Sequence, residues 1–403
     1  MLDLKIENSF QELKSYCEKE EYKGWDPYDG LNSTLFKATP LKNWSLARLA
    51  WIQGFKLSPI NFRKILAVPK GYNSKGIGLF LTGYCNLYKI AEAGNTTFGT
   101  RDEIIQKINF LANLLIDLRA EGYSGACWGY NFDWQNRVFF QPINTPTIVA
   151  TSFCADAILN AYDITGKKEY LEVGLSSCLF IEQDLNRTHI NKKEFIFSYS
   201  PLDTSQVYNA SLLGARLLAR CCTYKENEKR LQLSLQAAQT IVNKQTSNGA
   251  WIYGENKVQS WIDSFHTGFN LECICEIMEY TGSKEFSISF EKGLNYYLNN
   301  FFLEDGTPKY YNNKTFPIDI HAPAQLIATL IRSNRIQAHR TLADKVLDWT
   351  INNMQTSKGY FTYQLKPVFS SKIPYMRWAQ AWMFYAFSLY LKSTTNENLD
   401  RSH

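Results

Sequence analysis

Two kinds of apolar pattern alternate along the chain. Residues 264–280 carry Ser, Gly and Cys among large apolar residues on nearly every helical face, as a fully buried helix does. Residues 284–302 instead combine an apolar stripe with Lys, Glu and Asn, which is typical of a helix with one solvated face. The alternation therefore predicts pairs of one inner and one outer helix.

The pairs recur along most of the chain. Glycine-containing aromatic loops mark them at intervals of about 55 residues, for example at Gly249, Gly306 and Gly359. The inner candidates are 76–93, 147–162, 205–222, 264–280, 320–333 and 375–391, and the outer ones are 101–120, 168–184, 226–245, 284–302 and 340–354.

This repeat predicts an all-α fold, an (α/α)6 toroid of six helical hairpins that forms one domain over residues 1–403. Residues 1–75 are an N-terminal extension, in which 44–66 is expected to supply the sixth outer helix. An open α-solenoid is the structural alternative. The aromatic and apolar last helix favours a closed ring, because a solenoid ends in a polar cap.

Composition limits the functional classes. The chain is 45% hydrophobic, 15% aromatic and 20% charged, which excludes a disordered protein. The net charge is +5, and the lysines and arginines form no continuous basic block, so we expect no nucleic-acid partner. We also expect no membrane span and, from the charged N-terminus, a cytoplasmic location. The nine cysteines contain no C-x-x-C pair and are interpreted as reduced core residues.

The inner helices of such a ring run in one direction, so the loops before them meet at one end, here called the mouth. Aspartates stand just before three of these helices, at 203, 263 and 319. Capping a helix stabilises it by about 1 kcal/mol and is the expected role of Asp203, which has Gln206 in a capping-box position. Asp263 and Asp319 are each followed by a histidine, so catalysis is an equal alternative for them.

His266 and His321 occupy matching positions in successive repeats at the mouth. Histidine takes and gives protons near neutral pH, which predicts an acid/base role for one or both. The alternative is a pair of core histidines bonded to the backbone. No metal-ligand spacing is present, and we expect neither a metal nor a cofactor.

Aromatic and polar residues alternate in the segment 122–142. Such a mixture suits a sugar, whose C–H face stacks on rings while its hydroxyls form hydrogen bonds. A packed loop is the structural alternative. The predicted binding residues, including the later loops, are Trp128, Tyr130, Trp134, Gln135, Asn209, Trp251 and Tyr311, with Arg137 and Arg377 expected to grip an anionic group.

Two segments, CWGYNFDWQNR and IDSFHTGFNLE, resemble those of the VpsJ-like exopolysaccharide-biosynthesis proteins. That family occurs in bacterial capsule, exopolysaccharide and lipopolysaccharide gene clusters. The resemblance extends over residues 76–391 and implies the six-hairpin toroid found in glycosidases, polysaccharide lyases and sugar epimerases. It implies a pathway, bacterial surface-polysaccharide biosynthesis, more firmly than a reaction.

The favoured hypothesis is a sugar (uronate) epimerase or a related proton-abstraction enzyme. His266 or His321 is its acid or base, and Tyr208 is the partner on the opposite face. A glycoside hydrolase using Asp133 with Asp263 or Asp319, or a polysaccharide lyase, is the second hypothesis. A non-catalytic toroid that binds a glycan or a partner protein is the third.

Overall fold

A computed structural model describes residues 2–135 and 140–400, with side chains as far as residue 395. Its helices are α1 (Leu2–Lys19), α2 (Thr34–Lys37), α3 (Ser45–Leu57), α4 (Ser74–Glu92), α5 (Arg101–Asp117), α6 (Ile148–Thr165), α7 (Lys168–Leu179), α8 (Tyr208–Tyr224), α9 (Glu228–Val242), α10 (Ser264–Thr281), α11 (Ser287–Phe301), α12 (His321–Arg332), α13 (Arg340–Met354) and α14 (Trp382–Asp400). Three short antiparallel pairs join β1 (Trp134–Gln135) to β2 (Phe140–Gln141), β3 (Arg187–His189) to β4 (Phe195–Phe197), and β5 (Ile318–Asp319) to β6 (Gln364–Leu365).

Six inner helices form a closed ring. Helices α4, α6, α8, α10, α12 and α14 each pack against the next, and α14 packs against α4. They are rich in small residues and are buried along most of their length, as the sequence predicted. The closing contact between α14 and α4 confirms the (α/α)6 toroid and excludes the open solenoid.

The outer layer contains α5, α7, α9, α11 and α13, at the predicted positions. The sixth outer helix is α1, which packs between α13 and α14. Its stripe of Ile6, Phe10 and Leu13 is completely buried. The prediction that 44–66 would supply this helix was wrong, because that segment leaves Leu46, Leu57 and other apolar side chains exposed.

Repeated contacts confirm the position of α1. Gly359 has φ 83°, and a Cβ added to it would meet the carbonyl oxygen of Glu12 in α1 at 2.7 Å. Gly306 approaches Lys345 of α13 in the same way, at 2.5 Å. Each glycine turn thus docks on an outer helix at a distance that leaves no room for a side chain.

Residues 24–71, here called the arm, cross the mouth. The arm begins and ends at a backbone bridge between Gly24 and Gly71. Its Asp26 accepts two hydrogen bonds from Arg377, at 2.6 and 2.8 Å, at the start of the segment leading into α14. Helix α3 of the arm lies against β1. The arm is therefore held over the openings of the inner helices.

All nine cysteines have free thiols, and seven of them are buried. Among residues 2–135 and 140–400, no helix combines the length and apolarity that a bilayer span requires. The same residues contain no group of three His, Cys, Asp or Glu side chains arranged to hold a metal ion.

Candidate active site

Aromatic side chains surround the mouth in a chain of contacts that begins in the arm. Tyr28 lies 6.2 Å from Trp134, and Trp134 lies 6.1 Å from Tyr199, between ring centroids. Tyr310 packs on Tyr311 at 4.4 Å. These side chains are partly exposed, and all of them except Tyr311 also pack against the core. We call the set the mouth ring; it comprises Tyr28, Trp134, Tyr199, Tyr253, Tyr310 and Tyr311.

The phenols of the mouth ring are hydrogen-bond donors at neutral pH. Burial raises the pKa of Tyr199, Tyr253 and Tyr310 above the usual value, because the phenolate loses its hydration. Protonated phenols that remain partly exposed suit the hydroxyl and carboxylate oxygens of a ligand.

His266 lies beside this ring and is held by Asp263. Asp263 caps α10, since its Oδ1 accepts a hydrogen bond from the His266 backbone N–H at 3.0 Å. Its Oδ2 accepts one from the Trp261 indole at 2.8 Å and lies 2.7 Å from His266 Nδ1. The aspartate therefore caps the helix and also holds the imidazole, and its catalytic role stays a prediction.

The orientation leaves one imidazole nitrogen free. Because a carboxylate accepts hydrogen bonds, Nδ1 carries the proton, and Nε2 presents its lone pair. No described residue is hydrogen-bonded to Nε2, and the His266 side chain is 20% exposed. Tyr253 packs on the imidazole at 4.5 Å. This is the geometry of a general base whose protonated form is stabilised by a carboxylate.

Two asparagines lie in the same recess as His266. Asn209, at the start of α8, and Asn270, in α10, line it together with Thr267. Both amide oxygens are buried and have no hydrogen-bond partner among the described residues. The recess is too closely packed to hold a water molecule, so both oxygens stay unpaired within it. The structure places Asn209 beside His266, and its binding role stays a prediction.

His321 lies one layer deeper and does not reach the recess. It is 2% exposed and is stacked on Phe265 at 4.4 Å, with Trp382 at 4.1 Å on another side. Burial and the nearby Lys75 hold its pKa well below the usual value, so the ring is neutral. Of the two histidines, only His266 lines the recess, and its acid/base role stays a prediction.

Lys75 is a central residue that sequence reasoning missed. Its amine lies 4.2 Å above Phe153 and 5.2 Å from Trp382, and the side chain is buried. Burial and the charge of Arg377 hold its pKa well below the usual value. The sequence contained one signal for this residue, a charged lysine at the start of the apolar helix α4.

Asp319 is a structural residue. Its carboxylate is fully buried and accepts hydrogen bonds from the His321 N–H at 3.0 Å, the Trp378 indole at 2.9 Å and Gln364 at 2.6 Å. Burial raises its pKa to about 6. With its oxygens occupied, Asp319 does not serve as the catalytic carboxylate that was predicted as one alternative.

Asp203 differs from the predicted helix cap. Its carboxylate accepts hydrogen bonds from the backbone N–H groups of Ser200 and Ser205, each at 2.8 Å. Helix α8 begins only at Tyr208, after Val207, and has no side-chain cap. The prediction was wrong because the aspartate closes the preceding loop on itself.

Asp133 lies outside the mouth ring. It accepts a hydrogen bond from the Ile143 N–H at 2.8 Å and lines a separate cavity of about 390 Å³ together with Lys42 and Arg48. The three carboxylates serve different local structures, and the hydrolytic pairing of Asp133 with Asp263 or Asp319 stays a prediction.

Arg377 fixes the arm and is not available to a ligand. It is 5% exposed, forms the double hydrogen bond with Asp26, and is stacked between Tyr130 at 5.2 Å and Trp378 at 5.1 Å. Gln135, which is 7% exposed, accepts hydrogen bonds from Arg48 at 2.8 and 3.0 Å. Arg137 lies outside the described residues.

Two predicted stacking residues are core anchors. Trp128 is fully buried and donates its indole N–H to the Leu115 carbonyl at 2.7 Å. Trp251 does the same to Ile241 at 2.9 Å, beneath the His266 recess. Both tryptophans are buried because each one fixes a glycine-containing loop of the repeat to an outer helix.

Of the remaining predicted residues, some belong to the mouth ring and others are bonded to neighbouring side chains. Tyr208 donates its hydroxyl to Glu255 at 2.8 Å, and burial with this partner raises its pKa, so it does not face His266 as a proton donor. Tyr130 is buried, with its oxygen 3.2 Å from that of Tyr199. Trp134 and Tyr311 belong to the mouth ring.

No protein-family model matches the sequence, and no curated protein is similar to it. Solved structures share its fold. The cellobiose 2-epimerase of Bacillus thermoamylovorans B4167 has a TM-score of 0.63 and 12% identity, covering 81% of this chain and 90% of that one. An unsaturated glucuronyl hydrolase specific for heparin gives 0.61 and 12% over 98% of both chains. The GH76 α-mannanase BT2949 of Bacteroides thetaiotaomicron gives 0.59 and 10%, covering 81% and 87%. At these identities the likeness shows the fold, an (α/α)6 toroid.

Proposed function

We propose that this protein is a carbohydrate-processing enzyme that moves a proton to and from a sugar carbon. The observation that carries the proposal is the Asp263–His266 pair, in which a carboxylate fixes Nδ1 and Nε2 is free beside the mouth ring. Acid/base transfer requires a group that titrates near neutral pH and touches the substrate. Epimerisation is the reaction type that we favour, with His266 as the base on one face of the sugar carbon and a mouth-ring phenol as the acid on the other.

The mouth ring supports a saccharide as the substrate. Its rings offer flat apolar faces for sugar C–H groups, and its partly exposed phenols offer polar partners. The structures that share the fold include a protein named cellobiose 2-epimerase. The resemblance to VpsJ-like proteins adds bacterial surface-polysaccharide biosynthesis as the proposed pathway.

In the proposed reaction, Nε2 of His266 removes a proton from a ring carbon next to a carbonyl or carboxylate carbon. The imidazolium that forms is stabilised by Asp263, which stays ionised. The negative charge on the substrate is taken up by hydrogen bonds from the mouth-ring phenols. A mouth-ring phenol on the other side of the sugar then gives its proton to the opposite face of the carbon, which inverts the configuration, and the phenolate and the imidazolium return to their resting states by proton exchange with solvent.

Direct hydrolysis is less well supported. An inverting glycosidase requires two carboxyl groups roughly 6.5–9.5 Å apart across the bond. Of the candidate carboxylates, Asp319 is bonded to three donors and Asp133 faces another cavity. The structure thus offers one acid/base pair beside the mouth instead of two opposed carboxyls.

The test is incubation of a panel of neutral and acidic oligosaccharides with the protein in D2O, followed by NMR. Deuterium at one ring carbon with inversion there supports the proposal. A new reducing end would establish hydrolysis, and new vinylic protons would establish a lyase. Binding without any product would leave a non-catalytic toroid and contradict the proposal.

A further inference from the structure

The arm carries a cation to the mouth ring. Lys56 in α3 is half-buried, and its ammonium donates a hydrogen bond to the Tyr28 hydroxyl at 3.0 Å. No described carboxylate forms an ion pair with it. An ammonium has three N–H donors, so two remain for a ligand.

The two buried arginines near the mouth are already paired with carboxylates. Arg377 is bonded to Asp26, and Arg63, which is fully buried, is bonded to Asp29 at 2.7 Å. Lys75 has no carboxylate partner but is buried under the layer of rings, against Phe153. Of these four cations, Lys56 is the one that contacts the mouth ring, is partly exposed and has no contacting carboxylate.

Lys56 faces the same opening as the proposed base. Tyr311 and Asp263 pair as a backbone bridge, which places Tyr311 beside the residue that holds His266. Tyr311 and Asp319 act electrostatically on Lys56, and both Asp263 and Lys56 act on Tyr311. Asp319 itself is covered by Trp378 and Gln364, which satisfy its charge with hydrogen bonds.

Two hydroxyl groups complete the arrangement. The Tyr28 oxygen accepts from Lys56, so its own O–H is free to donate. No described residue is bonded to the Tyr311 hydroxyl, and its side chain is partly exposed. One ammonium and two phenols form a receptor for an oxyanion of single charge.

We propose that Lys56, Tyr28 and Tyr311 bind the carboxylate of an acidic sugar, which makes uronic acids or similar sugars the substrate class. This inference rests on the proposed function, because it places the sugar in the same mouth as His266. In this proposal, Lys56 of the arm has the anion-binding role that the sequence predicted for Arg377. A single positive charge with no Arg fork favours a carboxylate over a phosphate dianion.

The test is an NMR titration with methyl glycosides in matched pairs, each neutral glucoside or galactoside against its uronoside. Wild-type protein is expected to bind at least one uronoside about tenfold more tightly than its neutral counterpart, and added salt should reduce this preference. Lys56→Met, which keeps the aliphatic stem, should abolish the preference. Tyr28→Phe should reduce it about threefold.

Lys314→Met is the matched control. Lys314 is exposed and lies 4.5 Å from the Tyr311 ring, so this variant makes the same charge change at the edge of the mouth. It should change the preference less than twofold, and thermal melts should show that all variants fold. Equal effects of the two substitutions would overturn the inference.

Two other outcomes separate this inference from the proposed function. Equal binding of neutral and acidic sugars would overturn the carboxylate site and leave the proposed function standing. Binding of neither kind would overturn the site and also remove support for a sugar in the mouth.

Discussion

Two residues at equivalent positions of the repeat differ in chemistry because each contacts different residues that are distant in the sequence. His266 is bonded to the Asp263 carboxylate, whereas His321 follows an aspartate whose oxygens are taken by Trp378 and Gln364. The sequence placed both histidines near the mouth because the repeat is regular. It could not decide which one is accessible, because those partners come from the next repeat.

The unusual environment of Asp319 leads to a pH prediction. Its pKa of about 6 in the folded protein exceeds the ordinary 3.8, so folding favours the protonated carboxyl. That contribution to stability is full below about pH 4 and is lost as the pH rises through about 6. Asp319→Asn mimics the protonated form, since its amide can donate to a reoriented Gln364.

The free energy of unfolding of wild type relative to Asp319→Asn should therefore fall by about 2 kcal/mol between about pH 4 and pH 7. Urea titrations of both proteins across this range measure it, and taking the difference removes the other titrating groups. A difference that stays constant with pH would contradict the assignment.

At the scale of elements, hydrophobic periodicity predicts the bounds of a helix correctly where local contacts set its ends. Helix α10 was expected at 264–280 and spans Ser264–Thr281, because its buried face and its cap both lie within the segment. Helix α8 begins three residues later than predicted, because Asp203 bonds its own loop. The arm was misassigned for a different reason, since its role depends on distant partners such as Arg377.

The glycine turns provide a test at this scale. Gly306 has φ 91° and no room for a Cβ, whereas Gly94 has φ 93° with nothing within 4 Å. Gly94→Ala should cost about 1 kcal/mol from backbone strain alone. Gly306→Ala should cost about 3 kcal/mol, because the methyl group also displaces α13. Urea unfolding measures both, and equal costs would refute the close docking of the turn.

At the scale of the whole molecule, the ring is closed by the beginning of the chain. Helix α1 packs between α13 and α14, so residues more than three hundred positions apart share one core. The sequence predicted closure and an N-terminal origin for the last outer helix. It did not identify α1, because the sequence of an amphipathic helix does not show which distant helices it packs against.

Substitutions in α1 should therefore act on global stability. Leu13 is fully buried and Leu4 is 61% exposed in the same helix. Leu13→Ala should lower the free energy of unfolding by about 3 kcal/mol, and Leu4→Ala by less than about 0.5 kcal/mol. Urea titrations followed by tryptophan fluorescence compare them. A negligible effect of Leu13→Ala would mean that the toroid does not depend on α1 for closure.

The whole molecule also explains why the site was only partly predictable. Asp263, His266 and Asn209 lie on repeat elements, and their grouping follows from the toroid. Tyr28 and Lys56 reach the mouth through the arm, which does not belong to the repeat. Aromatic residues of the repeat loops, such as Trp128, proved to be anchors because the repeat uses them for packing.

The most direct test of the account compares hydrogen exchange by wild type and His266→Gln in D2O, on a saccharide that the NMR panel identifies. Wild type should incorporate solvent deuterium at one ring carbon. His266→Gln, which retains the backbone cap from Asp263, should fold normally and exchange about 10²–10⁴-fold more slowly. Undiminished exchange in a folded His266→Gln variant would contradict the claim that His266 transfers the proton.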